Sequence, residues 1–208
     1  MFSQKKDLYV VTDSPILKGR IFLSCIEAAL RGGAKIIQLR EKNSTGREFY
    51  EKALALRELT HKYDARFIVN DRVDIAVLSG ADGVHIGQID IPVPAVRRLI
   101  GEDKIIGVSA GDMEKAVRAQ QEGADYIGVG AIFPTETKEN AQTIEMATLE
   151  AIREAVTIPI VAIGGIKLHN LADINGDHVD GIAVVSAILG AEDIYGETKK
   201  WVNQLAYK

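Results

Sequence analysis

The chain has one cysteine, Cys25, so no intrachain disulfide can form. Cys25 lies in the apolar stretch Ile21-Phe22-Leu23-Ser24-Cys25-Ile26 and reads as a buried helical thiol rather than a nucleophile. No run approaches the roughly 18 apolar residues of a membrane helix. The first residues are polar and lead directly into a strand, so no signal peptide is expected, and neither is a membrane partner. A cytoplasmic location is the default. There is no acidic or basic tail, and the net charge is −4. That argues against nucleic acid as the main partner, because a phosphate backbone attracts clustered Lys and Arg. A small anionic substrate needs only a local cluster. No Pro/Ser-rich linker or low-complexity segment divides the chain. Also lacking are a His/Asp/Ser triad order, an HExxH pattern and Cys/His zinc spacing.

What is present is an ordinary globular composition, 47% hydrophobic and 26% charged, over 208 residues. That length suits a single α/β-barrel domain spanning 1–208. Eight short apolar runs recur, at 8–12, 35–40, 66–70, 83–86, 105–109, 126–130, 158–163 and 181–186. They are β-branched and nearly continuously apolar, as strands covered on both faces read. Amphipathic stretches lie between them. In 46–63, Phe49, Ala53, Leu56, Leu59 and Tyr63 return at helical spacing. In 112–122, Asp112 is placed to cap, Ala116 and Ala119 face inward, and Gly123 ends the helix. Gly32-Gly33-Ala34, Gly80-Ala81-Asp82 and Gly123-Ala124-Asp125 each precede a strand, where glycine lets the chain leave a helix through a positive φ. Eight alternating units predict a parallel sheet closed as a single (β/α)8 TIM barrel. An open doubly wound sheet is the alternative.

In such a barrel the loops after the strands build the active site. Here the runs stop at polar residues: Thr12-Asp13, Gln38-Leu39-Arg40-Glu41-Lys42, Asn70-Asp71-Arg72, His85 leading to Gln88 and Asp90, then Ser109, Thr135-Glu136-Thr137-Lys138, Gly164-Gly165 and Ser186. The strand starts show no comparable concentration of chemistry. Gly164-Gly165, between strand 7 and an expected short helix, has the location and backbone freedom of a phosphate loop, with Val185-Ser186 as its partner. Asp71 and Asp90 follow adjacent strands, so their carboxylates can converge on Mg2+. Capping of the next helices explains them equally well from spacing alone. Arg40, Lys42 and Lys138, with Ser109, could surround a second anionic group. His61 lies on a polar helix face, and His169 and His178 are in loops. His85 points either at the site or into the barrel.

The sequence resembles the thiamine phosphate synthase family over nearly its whole length. The resemblance rests on nine stretches in order. Five lie in the first half: Leu8-Tyr9-Val10-Val11-Thr12-Asp13, Gln38-Leu39-Arg40-Glu41-Lys42, Asn70-Asp71-Arg72-Val73-Asp74, Gly83-Val84-His85-Ile86-Gly87-Gln88-Ile89-Asp90 and Ile106-Gly107-Val108-Ser109. Four follow: the run 123–130, the Phe133-Pro134-Thr135-Glu136-Thr137-Lys138 loop, Ile163-Gly164-Gly165-Ile166 and Val185-Ser186-Ala187-Ile188.

The resemblance implies pyrimidine diphosphate binding by Gln38, Arg40, Glu41, Lys42, Asn70, Ser109 and Lys138. It implies Mg2+ ligation by Asp71 and Asp90, and thiazole phosphate binding by Thr135, Thr137, Gly165, Val185 and Ser186. It also implies a reaction in which diphosphate leaves the pyrimidine methylene carbon and the thiazole nitrogen captures the resulting cation. Such chemistry needs no protein nucleophile. Ala131, where the family often has proline, and the stretch 139–146 depart from the pattern. Three rivals stand beside this reading. The thiazole tautomerase branch lacks the full diphosphate and Mg2+ set. A sugar-phosphate isomerase would need a well-placed general base. A silent binding protein would release no diphosphate. Assembly as a homo-oligomer is compatible with all of them.

Overall fold

The computed structural model describes residues 6–135, 137 and 142–206. Its strands are β1 (Asp7–Val11), β2 (Ile36–Leu39), β3 (Arg66–Asn70), β4 (Gly83–Ile86), β5 (Ile105–Ser109), β6 (Tyr126–Val129), β7 (Ile160–Ile163) and β8 (Gly181–Val184). They pair in parallel in chain order, and β8 returns to β1 with Asp7 beside Gly181 and Val10 beside Val184. The sheet is therefore a closed (β/α)8 barrel rather than an open one. The helices are α1 (Phe22–Gly32), α2 (Gly46–Lys62), α3 (Val73–Leu78), α4 (Val93–Ile100), α5 (Met113–Gln121), α6 (Met146–Ala155), α7 (Ser186–Leu189) and α8 (Ile194–Ala206).

The continuous apolar runs follow from two separate cores. Side chains alternate across a strand, so one residue in two faces the barrel axis. Leu8, Val10, Phe67, Val69, Ile127 and Val129 face outward into the large cluster under the helices. Tyr9, Val11, Ile36, Ile68, Tyr126, Val161 and Ala183 fill the interior. Cys25 belongs to the outer cluster on α1, as a structural thiol.

Several strands are shorter than their apolar runs, because the terminal residues are recruited elsewhere. Thr12 lies beyond β1, where its hydroxyl accepts from the Arg40 N–H at 2.9 Å. Ile158 precedes β7, since Pro159 has no N–H for the ladder. Ser186 opens α7 instead of closing β8. His178 ends a short 3-10 turn, Gly176–His178, rather than lying in an irregular loop.

Of the helix caps, the one at Asp112 is as expected. Asp112 accepts from the Lys115 N–H at 2.8 Å at the start of α5, and Ala116 and Ala119 are buried. Thr45 and Glu48 form a reciprocal capping box on α2. Gly33, Gly80 and Gly123 all take positive φ.

The strand starts carry a device that the sequence did not reveal. Asp82, Asp125 and Asp180 immediately precede β4, β6 and β8. Each accepts an N–H from the first or second residue of the preceding strand, from Phe67, Ile106 and Ile160, at 2.7, 2.7 and 2.8 Å. Each is also paired with an arginine from an even-numbered helix: Arg57 on α2, Arg97 on α4 and Arg153 on α6. One clamp thus recurs at the β3–β4, β5–β6 and β7–β8 seams. It sits at the end of the barrel opposite the polar loops and leaves them free for other work.

Candidate active site

The inward alternation of the strands decides what reaches the polar end. Asn70 lies two residues beyond the interior Ile68 on β3 and points toward the axis. Asp71 follows at φ 61°, a left-handed conformation that a non-glycine residue adopts only when its surroundings hold it there. The Asp71 N–H donates to the His85 carbonyl at 2.9 Å, extending the β3–β4 pairing by one bond. The Asp71 carboxyl is thereby brought to Asp90.

Neither aspartate caps a helix. The residues at the starts of α3 and α4 are Arg72 and Pro92, and neither makes a side-chain cap. Asp90 instead accepts from the Gly87 N–H at 2.7 Å, which orients it within its own loop. The capping reading of the two acids is excluded, and convergence stands. Burial, and next the nearby Asp90, push the Asp71 carboxyl from its usual 3.8 up to about 6, against the pull of Asn70 and Arg40. A carboxyl held this close to a second acid, and disfavoured as an anion there, suits a divalent cation. Among the described residues no larger group of His, Cys, Asp or Glu joins them to form a metal cluster. The remaining positions would go to water and substrate oxygens, as Mg2+ prefers.

The loop after β2 is stiffened from below. Both Glu41 carboxylate oxygens are engaged, one by the Ser14 hydroxyl at 2.9 Å and the other by Lys52 Nζ at 2.7 Å. The Glu41 side chain therefore braces the loop, leaving Arg40 and Lys42 as its cationic groups. Arg40 stands 3.6 Å from Asp13, whose carboxyl is raised mainly by burial despite that partner. Lys42 is exposed. Gln38 is buried and donates from Nε2 to the Tyr9 hydroxyl at 2.7 Å.

The loops after β6 and β7 are built against each other. The N–H groups of Ile132 and Phe133 donate to the carbonyls of Ile163 and Gly164, both at 3.0 Å. Gly164 and Gly165 have φ of 98° and 65°. A Cβ on Gly165 would stand 2.5 Å from the Phe133 and Pro134 carbonyl oxygens, so only glycine fits. Asn170 supports the turn, accepting from the Lys167 N–H at 2.7 Å and donating to the Gly165 carbonyl at 3.1 Å. The helix expected after this turn is only the short 3-10 segment Leu171–Asp173. The Thr137 N–H reaches Thr135 Oγ1 at 3.3 Å. Val185 packs on the interior cluster, and Ser186 is exposed at the first position of α7. Lys138 lies outside the described residues.

His85 faces the barrel interior. Its Nδ1 lies 2.9 Å from the Tyr126 hydroxyl and its Nε2 lies 3.0 Å from Ser109 Oγ. Tyr126 in turn meets Tyr9, their hydroxyls 2.8 Å apart. The available signal for this set was the period-two placement of two tyrosines and a histidine at inward positions. Asn170 had no comparable signal.

A family model described as thiamine monophosphate synthase matches residues 8–188. The chain is 54% identical to the thiamine-phosphate synthase of Clostridioides difficile (strain 630), over 93% of this chain and 92% of that one. It is 54% identical to the thiamine-phosphate synthase of Clostridium tetani (strain Massachusetts / E88), over 90% of each. Among solved structures, a thiamine phosphate pyrophosphorylase from Pyrococcus furiosus superposes with a TM-score of 0.87 at 43% identity, over 96% of both chains. Among the described residues, no helix is long and apolar enough to cross a membrane.

Proposed function

The chain belongs to the thiamine monophosphate synthase family, and from that membership we propose that it joins an aminopyrimidine methyl diphosphate to a thiazole phosphate, or its carboxylated form, releasing diphosphate. It is an enzyme, a transferase of thiamine biosynthesis of the thiamine-phosphate synthase type. The observation that carries the finer reading is the convergence of Asp71 and Asp90 beside Arg40 at the polar end of adjacent strands.

Two anions must be held near each other. Arg40, Lys42 and Lys138 would neutralise the diphosphate, Arg40 through a fork of donors and the lysines as movable charges. Asp71 and Asp90 would hold Mg2+, with Asn70 steadying the Asp71 carboxylate. When bound, Mg2+ would stabilise negative charge on the leaving diphosphate. Gln38 and Ser109 reach the site from its floor and would fix the pyrimidine. Thr135, Thr137, Gly165, Val185 and Ser186 would seat the thiazole phosphate on the loops after β6, β7 and β8.

The reaction breaks the methylene C–O bond, and its electron pair leaves with diphosphate. The pyrimidine methyl cation is then captured by the thiazole nitrogen lone pair, forming the C–N bond. No protein nucleophile is required, which agrees with a site whose only cysteine lies behind the barrel wall. The protein's work is charge neutralisation, orientation and exclusion of water. The test is to mix the protein with both substrates and Mg2+, and to measure thiamine phosphate and diphosphate with and without EDTA. Product that vanishes with EDTA is expected. No product from folded protein would overturn the reading in favour of a tautomerase or a binding protein.

A further inference from the structure

Five polar side chains form one file through the barrel interior: Gln38, Tyr9, Tyr126, His85 and Ser109, linked at 2.7, 2.8, 2.9 and 3.0 Å. They come from β2, β1, β6, β4 and β5. The file crosses the barrel and ends at a residue assigned above to the substrate site. Two glycines make room for it. A Cβ on Gly107 would lie 2.1 Å from Tyr126 Cζ, and one on Gly128 would lie 3.0 Å from His85 Cε1. Gly107 sits opposite Tyr126, and Gly128 opposite Ser109, in the β5–β6 register. The space for the file is thus built into the neighbouring strands.

A file of hydroxyls and one imidazole has two self-consistent directions, and its first member selects between them. Gln38 presents its amide N–H to Tyr9. The Tyr9 oxygen accepts that bond, so in the matching direction its own proton would go to the Tyr126 oxygen. The Tyr126 proton would then go to His85 Nδ1. The imidazole would carry its hydrogen on Nε2 and donate it to Ser109 Oγ. Ser109 has one proton, and this arrangement turns that proton away from the histidine.

We propose that Gln38, Tyr9, Tyr126 and His85 act as a positioning relay that presents Ser109 to the pyrimidine substrate as a hydrogen-bond donor. The two tyrosines are positioning residues and touch no substrate. The consequence for substrate recognition rests on the synthase reading above; the direction of the file does not.

The experiment reads the His85 ring by 15N NMR in the ligand-free protein. Hydrogen on Nε2 with Nδ1 unprotonated is expected. Gln38→Glu puts an acceptor at the head of the file and should move the hydrogen to Nδ1. Tyr126→Phe removes the donor to Nδ1 and should weaken the preference for hydrogen on Nε2. It should also raise KM for the pyrimidine diphosphate about tenfold and leave KM for the thiazole phosphate unchanged. A purely structural role would leave the ring tautomer alone and would not separate the two KM values. Hydrogen on Nδ1 in the unsubstituted protein, or on Nε2 still in folded Gln38→Glu, overturns the relay. If the unsubstituted protein makes no thiamine phosphate, the synthase reading fails by itself, and the ring spectra still decide the relay.

Discussion

The carboxyl groups of Asp71 and Asp90 come within hydrogen-bonding reach of each other above β3 and β4. Burial and this neighbour raise the Asp71 pKa to about 6 from its usual 3.8. A raised carboxyl pKa favours the folded state while the group is protonated. That contribution is fully present below about pH 4 and is lost as pH rises through about 6. Metal requires both groups ionised. Millimolar Mg2+ should therefore raise Tm clearly at pH 8 and barely at pH 5. An equal rise at both values would count against the pair as the metal site.

Substituting one of the two acids separates chemistry from folding. Asp90→Asn and Asp71→Asn should each lower turnover by about 100-fold or more, some 2.7 kcal/mol of transition-state stabilisation. Tm without Mg2+ should hold or rise, because the like-charge contact is gone. Steady-state kinetics alongside thermal melts check both halves. Full activity in either variant would remove that residue from the metal site. Lys138→Ala should likewise reduce turnover far more than stability.

Gly165 cannot be enlarged without moving the loop after β6. Gly165→Ala combines a left-handed φ of 65° with a Cβ only 2.5 Å from two carbonyl oxygens. The left-handed term alone costs about 1–2 kcal/mol. KM for the thiazole phosphate should rise, with KM for the pyrimidine diphosphate little changed. Equal rises in both would show that the loop does not distinguish the two substrates.

The clamps at the opposite end should behave in the reverse way. Asp125→Ala leaves the Ile106 N–H without its acceptor and Arg97 without its carboxylate partner. An unpaired buried donor costs about 1–3 kcal/mol. In a chain of this size, Tm should fall by about 2–4 °C for each kcal/mol. Turnover per folded molecule should be unchanged, which active-site titration at low temperature can establish.

Much of the fold was legible because its signals are local. Runs of β-branched residues, the Asp112 cap and glycines at helix exits depend only on nearby residues and periodicity, and each appears where expected. Strand ends were less legible. Thr12 and Ser186 extend apolar runs, but their hydrogen bonds go to other elements. The acids were ambiguous in sequence for a related reason, since an aspartate before a helix looks the same whether or not it caps. Only the turn at Asp71 and the Gly87–Asp90 contact separated the two.

The sequence by itself determined the eight strand–helix units, their two-sided burial and the gathering of polar residues after the strands. These follow from alternation, helical periodicity and chain order. Tertiary structure alone decided which polar groups meet. Closure puts β1 beside β8, and the interior file joins Tyr9 to Tyr126, which lie 117 positions apart in the chain. Those contacts depend on barrel register and on space left by Gly107 and Gly128 on neighbouring strands, and no local pattern encodes either.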